Sequence, residues 1–104
     1  MRLRAVISGP AQRDAAEISS YYEAAAGPEI AGRVVRAISA AVSKLARSPG
    51  LGHAKPGLPW ADCRFYLVRP HFIVYRVREE RLEILRVIHA ARDLAAILTA
   101  NSAA

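Results

Sequence analysis

The sequence predicts an α+β domain of order βααβββα, in which a helical hairpin packs on a small antiparallel sheet and a short C-terminal helix follows. Three observations predict it. Two long segments with apolar residues at helical spacing meet at Gly27-Pro28. Three short apolar segments follow, separated by tight-turn sequences. The chain has 104 residues, enough for one two-layer core and no more, so residues 1–104 are read as one domain.

Each element has its own justification. Leu3 to Ser8 is a short apolar segment with β-branched Val6 and Ile7, a first strand. Ser8-Gly9-Pro10 stops it and opens a helix, with Ser8 or Gly9 as the cap and Pro10 in the first turn. Ala11, Ala15, Ile18, Tyr22 and Ala25 then recur on one side, with Gln12, Arg13, Asp14, Glu17 and Ser20 on the other. Gly27 ends this helix and Pro28 begins the next, whose stripe runs through Ala31, Val34, Val35, Ile38, Ala41, Val42 and Leu45. So short a link makes the two helices antiparallel neighbours. Ser48 to Asp62 holds three of the six prolines and three of the six glycines, so it reads as irregular. Trp60 within it is either a lid over the core or a ligand platform. Cys63–Val68, Phe72–Arg78 and Leu82–His89 form an antiparallel meander, turning at Arg69-Pro70-His71 and at Glu79-Glu80-Arg81. Apolar residues on both faces of the middle strand, Phe72 and Val74 against Ile73, Tyr75 and Val77, predict cover on both sides. Leu94 to Leu98 is the last, short helix.

Composition narrows the function. The net charge is +6, and the basic residues are 13 arginines against Lys44 and Lys55. Arginine presents a planar fork of donors to phosphate or carboxylate, so an acidic partner is indicated, unless the bias only reflects a GC-rich genome. Cys63 stands alone, and His53, His71 and His89 lack metal-ligand spacing, so neither a disulfide nor a metal site is expected. No apolar run approaches membrane-spanning length, and Gly9-Pro10 interrupts the N-terminal apolar segment. A cytoplasmic protein without membrane attachment is expected.

The chemistry concentrates where the last strand meets the last helix: Arg86, His89, Arg92 and Asp93 lie within eight residues. Arg64, Arg76 and Arg86 come from three different strands, and aligned registers would bring their guanidiniums to one face opposite the hairpin. The alternative is that the meander arginines pair with Glu79, Glu80 and Glu83, most simply for Arg78 and Arg81 beside the turn. As a histidine, His89 is of a residue type that suits acid–base work, or it caps the strand end or bonds Asp93. Asp93 in a first helical turn also suits the helix dipole, and an Arg92–Asp93 pair would pin that helix to the sheet.

Several of these segments together resemble ParE-type toxins of the RelE/ParE superfamily. They are the hairpin opening at Ser8-Gly9-Pro10, Ile18-Ser19-Ser20-Tyr21-Tyr22, Gly27-Pro28, and Leu45 to Gly52. Arg64-Phe65, Phe72 to Val77 and above all Ile84 to Asp93 complete the set, over residues 3 to 98. The resemblance implies a type II toxin–antitoxin module: a toxin without cofactor, neutralised by a small ParD-like antitoxin that also carries the contact with operator DNA. It implies one of two activities. ParE-type members trap DNA gyrase on DNA; RelE-type members cleave mRNA on the ribosome. Such nucleases carry a basic residue just after the His-like position and then a tyrosine, where this chain has Ala90 and Leu94. Their lysines are reduced to Lys55. The gyrase reading gains by subtraction, with Arg64, Arg76, Arg86, His89, Arg92 and Asp93 as candidate target contacts. In the nuclease alternative Arg64, Arg86 and His89 are the catalytic set. Tyr21, Val35 and Trp60 are candidate antitoxin contacts, although each also suits the core.

Overall fold

The computed structural model describes residues 2–54 and 62–91. Strand β1 (Arg4–Ile7) leads into helices α1 (Gly9–Ala26) and α2 (Pro28–Arg47); a 3-10 turn (Pro49–Leu51) follows, then β2 (Arg64–Val68), β3 (His71–Arg78) and β4 (Arg81–His89). The expected C-terminal helix, Lys55, Trp60, Arg92 and Asp93 lie outside the described residues. No described helix is long and apolar enough to cross a membrane.

Local chemistry sets the hairpin. Ser8 is the N-cap of α1, its Oγ accepting from the Ala11 N–H at 3.1 Å. This satisfies one of the donors that a helix start leaves unpaired. Gly27 takes φ 91°, a value that favours glycine, and serves both as C-cap of α1 and N-cap of α2. Glu29 in the first turn of α2 and Lys44 and Arg47 in its last turn each match the helix dipole. Ala31, Ile38, Ala41 and Leu45 of the expected stripe are buried.

The sheet has the order β1-β4-β3-β2 and is mixed, which corrects the expected antiparallel sheet. The meander is antiparallel as read, but β1 runs parallel to β4, Arg4 opposite Arg81 through Ile7 opposite Ile84. The reason is topological: the chain leaves β1 through the hairpin and two further strands before it returns beside it. Glu79 and Glu80 make the turn into β4 with φ 52° and 60°. Two successive positive φ values match the right-handed twist of the flanking strands, at the cost of placing two non-glycine residues in the left-handed region.

The core has two sides, as the middle strand predicts. Ile73, Tyr75, Leu82, Ile84 and Val87 pack with Ile38 and Leu45 of α2; Val74, Leu85, Ile88, Phe65 and Cys63 form a second cluster. A register shift lets β4 serve both. Val74 pairs Arg86 while Tyr75 pairs Ile84, so Leu85 is an extra residue, a bulge that resets the alternation along the strand. Burial in the second cluster, with Asp62 nearby, pushes the Cys63 thiol up to about 11, so it stays protonated.

Tyr75 ties the irregular segment to this core. Its hydroxyl donates to the Pro49 carbonyl (2.7 Å) and accepts from the Gly52 N–H (2.8 Å). A Cβ on Gly52 would overlap the Tyr75 ring and hydroxyl, so only glycine fits here. His53 then pairs with Phe65 in a short bridge along the outer edge of β2.

Candidate functional site

The site follows from where β1 ends. Ser8 must leave the sheet to cap α1, so among the described residues the outer edge of β4 beyond Ile84 has no strand beside it. Side chains from the start of α1 take its place. Ser8 Oγ donates to the Leu85 carbonyl at 2.8 Å, and Asp14 Oδ2 accepts from the Val87 N–H at 2.9 Å. Buried backbone groups must be paired, and here two helix residues do what a neighbouring strand would do.

Asp14 also grips Arg86. The Arg86 Nε and Nη2 donate to Oδ2 and Oδ1 at 2.7 and 2.9 Å, a bidentate pair with side chains 12% and 11% exposed. The hydrogen bond to Asp14 pushes the Arg86 pKa further up, against the effect of burial, and Glu17 adds to the rise. Sequence patterning had set Asp14 on the polar side of α1; the structure puts it on the packing side, where Arg86 compensates its charge. The signal was present, since Asp14 lies three residues from Ala11 and four from Ile18.

Beyond this pair a cleft of about 390 Å³ opens between α1 and the end of the sheet. Glu17, Ile18, Tyr21 and Tyr22 form its helical wall, and His71, Val87 and His89 come from β3 and β4. Four rings cross it in edge-to-face succession. Tyr21 to Tyr22 is 5.2 Å between centroids, Tyr22 to His71 6.2 Å, and His71 to His89 5.5 Å. His71 is buried, and its pKa is lowered, first by burial and then by the neighbouring His89. His89 is exposed, and its Nδ1 accepts from the Ala91 N–H at 3.1 Å, which leaves the ring proton of the neutral form on Nε2. Glu17 makes no ion pair among the described residues.

The other arginines go elsewhere. Arg76 pairs with Glu83 across the strands at 2.6 Å, and that hydrogen bond raises its pKa. Arg64 donates to the Gly52 carbonyl at 2.6 Å and so fastens the segment that Tyr75 also holds. Arg81 pairs with Glu79, as the turn alternative expected, whereas Arg78 pairs with Asp62, a residue outside the expected partners. Arg64, Arg76 and Arg86 thus each serve a separate acceptor and do not meet around one vacant point. Of the remaining site residues, Tyr21 is 67% exposed and Val35 half-buried, which moves Tyr21 out of the core. Tyr21 and His89, assigned from sequence to different partners, line the same cleft. Glu17, Tyr22 and His71 were missed as site residues because each arrives from an element whose own pattern says nothing of the others. Among the described residues, no group of three His, Cys, Asp or Glu side chains is placed to hold a metal ion.

A helical hairpin on a four-stranded mixed sheet matches the architecture of the RelE/ParE-like toxin structures. The chain belongs to the family described as "ParE toxin of type II toxin-antitoxin system, parDE", which it matches over residues 5–94. Similar solved structures agree. The chromosomal ParDE toxin–antitoxin system from P. aeruginosa is 26% identical, covers 85% of this chain and 96% of its own, and superposes with a TM-score of 0.73. The toxin–antitoxin complex RelBE2 from Mycobacterium tuberculosis is 21% identical, covers 86% and 99%, and gives 0.62; it shares the fold. So does the conserved hypothetical protein HP0894 from Helicobacter pylori, at 20% identity, 86% and 97% coverage, and a TM-score of 0.56. Among curated protein sequences none matches.

Proposed function

We propose that this ParE-type toxin acts on DNA gyrase, holding the enzyme on cleaved DNA, and that a cognate ParD-like antitoxin neutralises it. The observation that carries the reading is the Asp14–Arg86 pair. In-line cleavage of RNA needs cations free to surround a phosphate, beside a base and an acid. Here the Arg86 guanidinium already donates to both carboxylate oxygens of Asp14, and Arg64 and Arg76 have acceptors of their own. The charge that faces the cleft beside His89 is Glu17, which repels a phosphate. The family match and the similarity to a ParDE system support the ParE-type toxin on which this reading builds.

On this reading the target contact sits at the C-terminal junction. His89 is its exposed described member, and Arg92 and Asp93 follow in sequence. Arg86 acts indirectly, by fixing the end of β4 against α1; Arg64 and Arg76, which the register sets toward the other end of the strands from His89, are held by acceptors of their own and fall outside the contact. Operator DNA is reached only through the antitoxin, and the protein works in the cytoplasm without a cofactor. Brief expression in a growing host tests the proposal. Chromosomal double-strand breaks should accumulate while transcripts stay whole, and antitoxin co-expression should abolish the breaks. Transcripts cut within codons, with the chromosome intact, would assign the chain to the ribosome-dependent nucleases instead.

A further inference from the structure

The cleft beside α1 has an unusual character for this protein. The chain carries a net charge of +6, yet among the described residues the ionic side chain at the cleft without an ion pair is a carboxylate, Glu17, and four aromatic rings in edge-to-face succession line it. Asp14, the second carboxylate on the lining, is neutralised by Arg86. An anion entering here would meet Glu17 and no free cation among the described residues. A purely apolar side chain would offer nothing to Glu17 or to the His89 Nε2–H, both exposed. A guanidinium satisfies each surface: it stacks against tyrosine and imidazole faces and forks onto a carboxylate.

We propose that the cleft formed by Glu17, Tyr21, Tyr22, His71 and His89 is the seat of an arginine side chain from the antitoxin. The occupant rests on the toxin–antitoxin reading above; the chemistry of the seat does not. Its neutral floor is kept by His71, whose burial and whose neighbour His89 both disfavour the imidazolium. Tyr21, two-thirds exposed at the mouth, covers the guanidinium from the solvent side. Because His89 lines the same cleft, a seated arginine obstructs the proposed target contact. Neutralisation is then steric and direct.

The test uses the full-length toxin and a capped Leu-Arg-Leu tripeptide, followed by NMR of the tyrosine and histidine ring resonances. The arginine peptide should shift the rings of Tyr21, Tyr22, His71 and His89. Its citrulline analogue, of the same shape without charge, should bind about tenfold more weakly, as should the arginine peptide to Glu17→Gln. Unchanged backbone spectra elsewhere show that the variant is folded. Purified antitoxin is then added, with complex formation followed independently by size-exclusion chromatography. A complex that releases the peptide supports the proposal; a complex that forms while the peptide stays bound overturns it and leaves the toxin–antitoxin reading intact. No complex at all counts against that reading. Equal binding of the arginine and citrulline peptides, or ring shifts away from the cleft, overturns the seat itself.

Discussion

Replacing Asp14 by alanine removes the group that holds the site together. Three hydrogen bonds end on this carboxylate: two from the Arg86 guanidinium and one from the Val87 backbone N–H. Asp14→Ala leaves Arg86 with its charge and little access to water, its side chain being 12% exposed. It also leaves the Val87 N–H at an edge where, among the described residues, no strand follows β1. Breaking a buried ion pair from one side costs about 3 to 5 kcal/mol, and orphaning a buried N–H about 1 to 3 kcal/mol. Water reaches the pair in part, so the low end applies and the variant should lose about 3 kcal/mol. For a chain of this size that lowers the melting temperature by roughly 12 to 24 °C. Urea unfolding followed by far-UV circular dichroism measures the loss directly. Adding Arg86→Met to the variant removes the stranded charge and should restore at least about 1 kcal/mol. A loss below about 1 kcal/mol for Asp14→Ala, or no recovery in the double variant, would refute the assignment of this pair as the clamp on β4.

Three further outcomes follow from other parts of the structure. Gly52→Ala sets a methyl group against the buried Tyr75 ring and hydroxyl and should cost about 2 kcal/mol or more in urea unfolding; a neutral effect would contradict the close approach. Glu79→Asn with Glu80→Gly suits the positive φ values of the turn and should stabilise by about 1 kcal/mol, seen as a higher melting temperature; destabilisation would argue against that geometry. The folded-state pKa of His71 lies below its ordinary value, so from pH 6.5 downward the unfolded chain binds more protons than the native one, until the lowered pKa is passed. Stability is therefore full above that window and falls on acidification through it. Unfolding free energies at about pH 7.5 and 5.5 should show a smaller drop for His71→Asn than for the unaltered protein, and equal drops would count against the buried neutral imidazole.

Most of the fold is legible in the sequence because its elements carry local signals. Pro10 and Pro28 open the helices, Gly27 breaks them, and the alternation around Phe72 to Val77 marks a strand with two covered faces. Strand direction has no such signal. Whether β1 runs parallel or antiparallel to β4 depends on the path of the hairpin over the sheet, and no residue of Arg4–Ile7 encodes it. The bulge at Leu85 is hidden for a related reason: Ile84 to Ile88 is apolar but for Arg86, so a skipped residue leaves no trace in the pattern. The site was legible only on its β4 side. Arg86 and His89 stood out as polar residues at a strand end, whereas Asp14 and Glu17 look like ordinary solvated helix charges. Their role comes from the premature end of β1, which lets α1 lie against the open edge of β4. Arg64 and Arg76 stood out by charge, and their partners, a loop carbonyl and a cross-strand glutamate, follow from registers that pattern reading does not supply.

The most direct test of the central claim is a supercoiling assay with purified gyrase, relaxed plasmid, ATP and the purified toxin. The account predicts loss of supercoiling together with accumulation of gyrase-linked linear DNA, both reversed by the antitoxin. Full supercoiling activity in the presence of excess folded toxin, with no trapped breaks, would contradict it.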